Sequence, residues 1–118
     1  NIAKLYNSKL SKITNKIKTP YIPKGFTHSF QMYTITVEAK LRNKLLNFLK
    51  KNDIEASSHF DPPLHLQKYL KKFNKKKLIV TEKLSKQIIT LPIFPDMTKK
   101  EVTYVTEIIS RFYKDNNK

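Results

Sequence analysis

The sequence contains no cysteine, a single glycine and only 9 acidic residues among 118. Without cysteine there is no disulfide framework, no thiolate-bound zinc and no iron–sulfur cluster. With Gly25 as the lone glycine, no glycine-rich loop can cradle a phosphate, and neither Ser57 nor Ser58 sits in the glycine-flanked elbow of a serine nucleophile. No apolar run approaches the roughly 20 residues of a membrane span, and the N-terminus shows no apolar signal-peptide core. A soluble, cytoplasmic protein with no membrane partner is expected. Arginine is scarce as well: Arg42 and Arg111 are the exceptions among 24 basic residues that are otherwise lysine.

Against these absences stand 39% hydrophobic residues and a formal net charge of +15. The apolar content supports a core, and the length supports one domain over residues 1–118. Lysine, asparagine and isoleucine are abundant together, a bias that an AT-rich genome imposes on any surface. The charge is nevertheless uneven. No acidic residue precedes Glu38, and Lys68, Lys71, Lys72, Lys75, Lys76 and Lys77 crowd one segment. Such a patch suits nucleic-acid phosphates, yet specific readers favour the arginine fork. A stand-alone basic domain that binds nucleic acid through residues 68–77 is therefore the alternative function, with a solvated lysine surface as its plain explanation.

Apolar periodicity places the elements. Ile2, Leu5, Tyr6, Leu10, Ile13 and Ile17 recur at three and four residues, which predicts an amphipathic helix over 2–17. Pro20, Pro23 and Gly25 then carry an extended connection. Residues 28–37 are rich in aromatic and β-branched types and predict a strand. A helix from Ala39 to Lys51 follows, with Leu41, Leu45, Phe48 and Leu49 in phase and Asn52 and Asp53 as its stop. Residues 54–60 predict a second strand, Asp61-Pro62-Pro63 a stiff loop, and residues 64–73 a short helix. Residues 78–88 read as a helix and 88–94 as a strand. Thr98 and Glu101 form a capping box for a last helix whose buried stripe is Val102, Val105, Ile109 and Phe112. The expected class is α+β, a small, mostly antiparallel sheet of about three strands covered by helices.

Few residues invite chemistry. His59 and His65 flank the proline loop, and His28 opens the first strand. Histidine titrates near neutrality, and loops on rigid supports are where binding residues concentrate. A metal site lacks a companion cluster of Asp, Glu or Cys at ligand spacing. A purely structural role, with His59 bonded to a nearby carbonyl and His65 in the first turn of a helix, stands beside the binding role. Glu55 and Asp61 lie near His59 in sequence, with nothing to show that the side chains converge. Composition and spacing favour a small binding or accessory domain over a self-sufficient enzyme.

Several strings carry a family resemblance. IEASSHFDPPLHLQKYL resembles the GI-x-T-x-x-HY-x-PLHLQ-x-Y segment of the DegT/StrS-type (DegT/DnrJ family) sugar aminotransferases. LRNKLLNFLKKNDIEA is similar to that family's R-D-x-L-x-x-x-L-x-x-x-GI helix, and SFQMYTITV to its small-domain strand. TEKLSKQIITLPIFPDMTKKEVTYVTEII is similar to the closing AE-x-L-x-x-x-x-LSLP-x-FP-x-MT-x-E-x-x-x-V segment, and IAKLYNSKL to the helix that enters the small domain. These matches occur in order and span essentially the whole chain. Phe60 stands where tyrosine is usual, Gln31 where histidine is common and Thr36 where arginine is frequent.

The resemblance implies the C-terminal small domain of a fold-type I pyridoxal-phosphate enzyme, with the large cofactor-binding domain absent from this chain. It implies amino transfer, from glutamate, to a keto nucleotide-sugar in polysaccharide or glycan biosynthesis. No lysine here lies in the family's Schiff-base motif, so the chain holds no catalytic or cofactor-binding residue and is expected to be inactive alone. The implied partners are the large domain, a homodimer mate and the nucleotide diphosphate-sugar. Pyridoxal phosphate is the implied cofactor of the whole enzyme. His59, Phe60 and His65 are the implied substrate contacts. Apolar residues on helix 2–17 or on the final strand are expected to be exposed in the isolated domain.

Overall fold

A computed structural model of the chain describes residues 1–73 and 76–116. In order come α1 (Ile2–Leu10), β1 (Tyr33–Thr36), α2 (Ala39–Lys51), two 3₁₀ turns (Leu64–Leu66 and Lys68–Phe73), α3 (Ile79–Ser85), β2 (Ile88–Leu91) and α4 (Lys99–Asn116). This is the α+β arrangement that the sequence predicts, with a small antiparallel sheet.

β1 and β2 pair with Tyr33 opposite Leu91 and Ile35 opposite Ile89. Alternation along each strand therefore sends Tyr33, Ile35, Ile89 and Leu91 to one face, where all four are buried. Thr34 and Thr90 face the other way, their hydroxyls 3.1 Å apart across the strands. Over the buried face, α1 packs on α4, and α2 packs on α4 and β2. Tyr6 of α1 stacks on Tyr33.

Two strands form among the described residues where about three were expected. Segment 54–60 contributes a single bridge: Ser57 N–H donates to Thr90 O at 3.1 Å, and Thr90 N–H to Ser57 O at 2.8 Å. The ladder cannot run on, because Phe60 turns to φ 59° and the two prolines that follow Asp61 have no N–H to give. At the other edge Lys18 bridges Thr36 in the same way, with bonds of 2.8 and 2.9 Å. β1 starts at Tyr33 and not near His28, since Phe30 sits at φ 53°. β2 stops at Leu91 because Pro92 follows.

The helices differ from expectation mostly in length. α1 ends at Leu10, not near Ile17. Just beyond it, Ser11 Oγ donates to Ser8 O at 3.2 Å and Thr14 Oγ1 accepts from Lys16 N–H at 3.2 Å. Such local bonds compete with helix continuation. Ile17 still reaches the core from its extended segment. Residues 64–73 form two 3₁₀ turns in place of one helix, interrupted at Gln67, which is extended at ψ 140°. α3 is shorter than its apolar pattern, and α2 has the bounds expected of it.

At the start of α4 the capping box is complete. Glu101 N–H donates to Thr98 Oγ1 at 3.2 Å, and Thr98 N–H donates to Glu101 Oε2 at 2.6 Å. Val102, Val105, Ile109 and Phe112 are all buried.

Of the apolar residues on helix 2–17 and on the strand expected over 88–94, Phe94 is exposed as expected, and the core-facing others are not. Ala3, Tyr6 and Leu10 of α1 are buried, as are Ile89 and Leu91 of β2, because those elements cover each other. Leu64, Tyr69, Phe73, Ile79 and Val80 are exposed instead. They lie on the short 3₁₀ turns and α3, whose outward sides are open among the described residues.

Candidate functional site

The proline loop begins where Ser57 bridges Thr90, so its first residue is fixed to the sheet edge. Ser57 Oγ then meets His59 Nε2 at 2.9 Å. His59 and Phe60 follow side by side at the exposed tip, ring centroids 6.2 Å apart, with Phe60 69% exposed. An apolar ring this open, carried on a left-handed backbone residue, is held outward by its surroundings rather than by burial.

Those surroundings are ionic. Asp61 pairs with the Nη2 of Arg42, whose guanidinium is buried on the inner side of α2. The Nε of the same guanidinium donates to Lys86 O at 3.3 Å, just before β2. Farther along, Gln67 Nε2 donates to Pro62 O at 2.9 Å and closes the loop on itself. His65 Nε2 lies 3.2 Å from Glu82 Oε1, and that oxygen also accepts the Leu78 N–H at 3.0 Å at the start of α3. The His65 hydrogen bond is the main reason that the Glu82 carboxyl sits below its ordinary range, with the Leu78 N–H adding to it.

The three candidate residues thus divide. His59 and Phe60 share the open tip, whereas His65 is partly buried and engaged by Glu82. His28 belongs elsewhere: its Nδ1 accepts from Phe30 N–H at 2.8 Å and its ring lies against Phe30. Among the described residues no group of three or more His, Asp or Glu gathers to hold a metal. The same residues include no helix long and apolar enough to cross a membrane. Their buried polar and charged side chains are Arg42, Ser85, Thr90 and Thr106. None is a lysine, so no buried lysine among the described residues offers the covalent end of a pyridoxal cofactor a desolvated amine.

Sequence reasoning missed Arg42 and Glu82, and named Asp61 only as a carboxylate near His59. A signal for the first was present, since Arg42 is in helical phase with Leu45, Leu46 and Leu49, all four buried together. The lysine-rich segment gains no support as a nucleic-acid surface. Lys75 lies outside the described residues, and Lys68, Lys72, Lys76 and Lys77 are exposed. An open cleft of about 440 Å³ between Ile54, Phe94, Met97 and Tyr104 includes none of the three candidate residues.

Residues 1–110 match the model of the DegT/DnrJ/EryC1/StrS aminotransferase family. The chain belongs to that family. It is 35% identical over 100 residues to the pleiotropic regulatory protein of Geobacillus stearothermophilus, covering 83% of this chain and 26% of that protein. It is 30% identical over 115 residues to GDP-perosamine synthase of Escherichia coli O157:H7, covering 97% of this chain and 30% of that enzyme. Among solved structures, aminotransferase TlmJ of Streptoalloteichus hindustanus superposes with a TM-score of 0.87 at 21% identity, over 97% of this chain and 30% of that one. At that identity the likeness is one of fold. The chain spans less than a third of the length of each of these relatives. DegT-family aminotransferases are pyridoxal-phosphate enzymes.

Proposed function

We propose that the chain is the C-terminal small domain of a pyridoxal-phosphate-dependent sugar aminotransferase, which transfers an amino group from glutamate to a keto nucleotide-sugar in polysaccharide or glycan biosynthesis in the cytoplasm. The observation that carries this is the family match over residues 1–110 in a chain that covers only 30% of a sugar-nucleotide enzyme such as GDP-perosamine synthase. On this reading the large domain supplies the lysine and the cofactor, which provides the electron sink for amino transfer. The small domain alone is inactive.

The work of this chain is then binding and exclusion of water. His59 at the open tip can donate an imidazole N–H to a diphosphate oxygen, and Phe60 offers a flat apolar face beside it. His65 contributes from the far end of the same loop. The net charge of +15 favours the approach of an anionic substrate. The exposed Leu64, Tyr69, Phe73, Ile79 and Val80 suit a face covered by the large domain or the homodimer mate.

The test is to read the coding sequence upstream of Asn1 and to express the whole product. An in-frame large domain that binds pyridoxal phosphate through a lysine is the expected result. A product with no such domain, or one that forms no aldimine absorption with the cofactor, contradicts the assignment.

A further inference from the structure

The Phe60 ring at the tip is exposed and His59 is met there by Ser57 Oγ, yet the backbone adopts one specific and unfavourable turn. Phe60 is at φ 59°, a conformation that L side chains avoid and that persists only where neighbouring groups determine it. The groups that do so come from two helices that never reach the tip. On the N-terminal side of the prolines, Asp61 is held by the buried Arg42, next in chain to the strained residue. On the C-terminal side, His65 is held by Glu82, which simultaneously accepts the N–H of Leu78, the residue that caps α3.

We infer that Arg42 and Glu82 are the positioning residues of this loop: Arg42 acts through Asp61 and Glu82 acts through His65 to aim His59 and Phe60 outward.

The chemistry of Arg42 matches that role. Arg42 is 6% exposed and is the one buried basic residue among the described residues. A planar fork can donate in two directions at once, here from Nε to the Lys86 carbonyl and from Nη2 to the Asp61 carboxylate. An ammonium group is a point charge and lacks that fixed geometry. The loop is thereby referenced to α2 and to Lys86 at the end of α3 together. Glu82 does the same for the other end, because one carboxylate oxygen ties the first 3₁₀ turn to the first turn of α3. A displacement of about 1 Å at a substrate contact costs on the order of a hundredfold in rate, so two anchors on rigid helices would matter to a loop that binds substrate.

The inference rests on the substrate-loop reading only in its kinetic arm, and the experiment separates the two. Backbone ¹⁵N relaxation on the 118-residue chain measures the order of residues 59–61 directly. The wild-type chain should show order parameters of about 0.8 there, and Arg42→Lys, which keeps the charge and loses the fork, should drop them below about 0.6. Asp61→Asn, at the exposed end of the same pair, should do likewise with the fold intact, while α2 and α4 stay at about 0.85. Glu82→Gln should loosen residues 64–66. In the full-length enzyme the same variants should lower kcat/KM for the keto nucleotide-sugar by about tenfold or more, with the glutamate half-reaction unchanged. Unchanged order in Arg42→Lys and Asp61→Asn overturns the inference. So does unchanged sugar kinetics in an enzyme that His59→Ala impairs. Lost loop order with no kinetic effect, even from His59→Ala, upholds the anchoring and instead overturns the substrate-loop reading.

Discussion

The Tyr6 ring of α1 stacks on the Tyr33 ring of β1 with centroids 4.7 Å apart and planes 23° from parallel. The two hydroxyls leave the stack in different directions. Tyr6 donates to Pro92 O at 2.9 Å, and Tyr33 donates to Asn7 Oδ1. Burial pushes both phenols above their ordinary range, Tyr6 with added repulsion from Tyr33 and Glu101, so both remain donors at any pH the protein meets. One stack thus joins the first helix, the sheet and the segment after β2.

Tyr6→Phe should therefore cost only the hydrogen bond, about 1 kcal/mol. Tyr6→Ala should cost about 3–5 kcal/mol through the cavity it leaves. Urea titration checks both, with a lower midpoint and an unchanged slope expected. Equal losses in the two variants would mean that the ring contributes nothing beyond its hydroxyl.

Acid should weaken the fold through two carboxyls. Glu82 is held below its ordinary range chiefly by His65, and Glu101 by the backbone N–H and then the hydroxyl of Thr98. A lowered folded-state pKa means that the unfolded chain takes up the proton more readily. The stabilisation is complete above the unfolded value and disappears as pH falls through the folded one. Unfolding free energy should decline below about pH 5, and less steeply in Glu82→Gln and Glu101→Gln. Identical pH slopes in wild type and both variants would contradict the pairings.

Core and surface isoleucines should behave oppositely. Ile35 is fully buried and Ile79 is 70% exposed. Ile35→Ala should cost about 2–5 kcal/mol, whereas Ile79→Ser should change the 118-residue chain by no more than about 0.5 kcal/mol. In the full-length enzyme Ile79→Ser should lower the melting temperature if this face is covered there. A fully neutral effect in both settings would show that Ile79 is uncovered in the enzyme as well.

Local pattern made much of this legible. The bounds of α2 follow from Leu45 and Leu49 in phase and from Asn52 and Asp53 as stops. Asp53 accepts the left-handed turn, at φ 56°, that its residue type tolerates. The capping box of Thr98 and Glu101 is a four-residue signal and appears as such in the structure. The apolar pattern of 2–17 runs past the end of α1 because Ile13 and Ile17 pack on the core after the backbone has left the helix. The third strand shrinks to one bridge because Ile54 and Ala56 are buried like strand residues, while Phe60 and the two prolines stop the pairing with β2 after Ser57. At the site, the resemblance carried by IEASSHFDPPLHLQKYL points to His59, Phe60 and His65 around the proline loop. The Arg42–Asp61 and His65–Glu82 pairs close over 19 and 17 residues, and such non-local partners leave no periodic trace in a single sequence.

The most direct measurement follows 2-oxoglutarate released from glutamate when pyridoxal phosphate and a keto nucleotide-sugar are supplied. The 118-residue chain should release none, and the full-length chain read from upstream of Asn1 should release it in step with amino-sugar formation. Turnover by the 118-residue chain alone, or none by the full-length chain, would contradict the account.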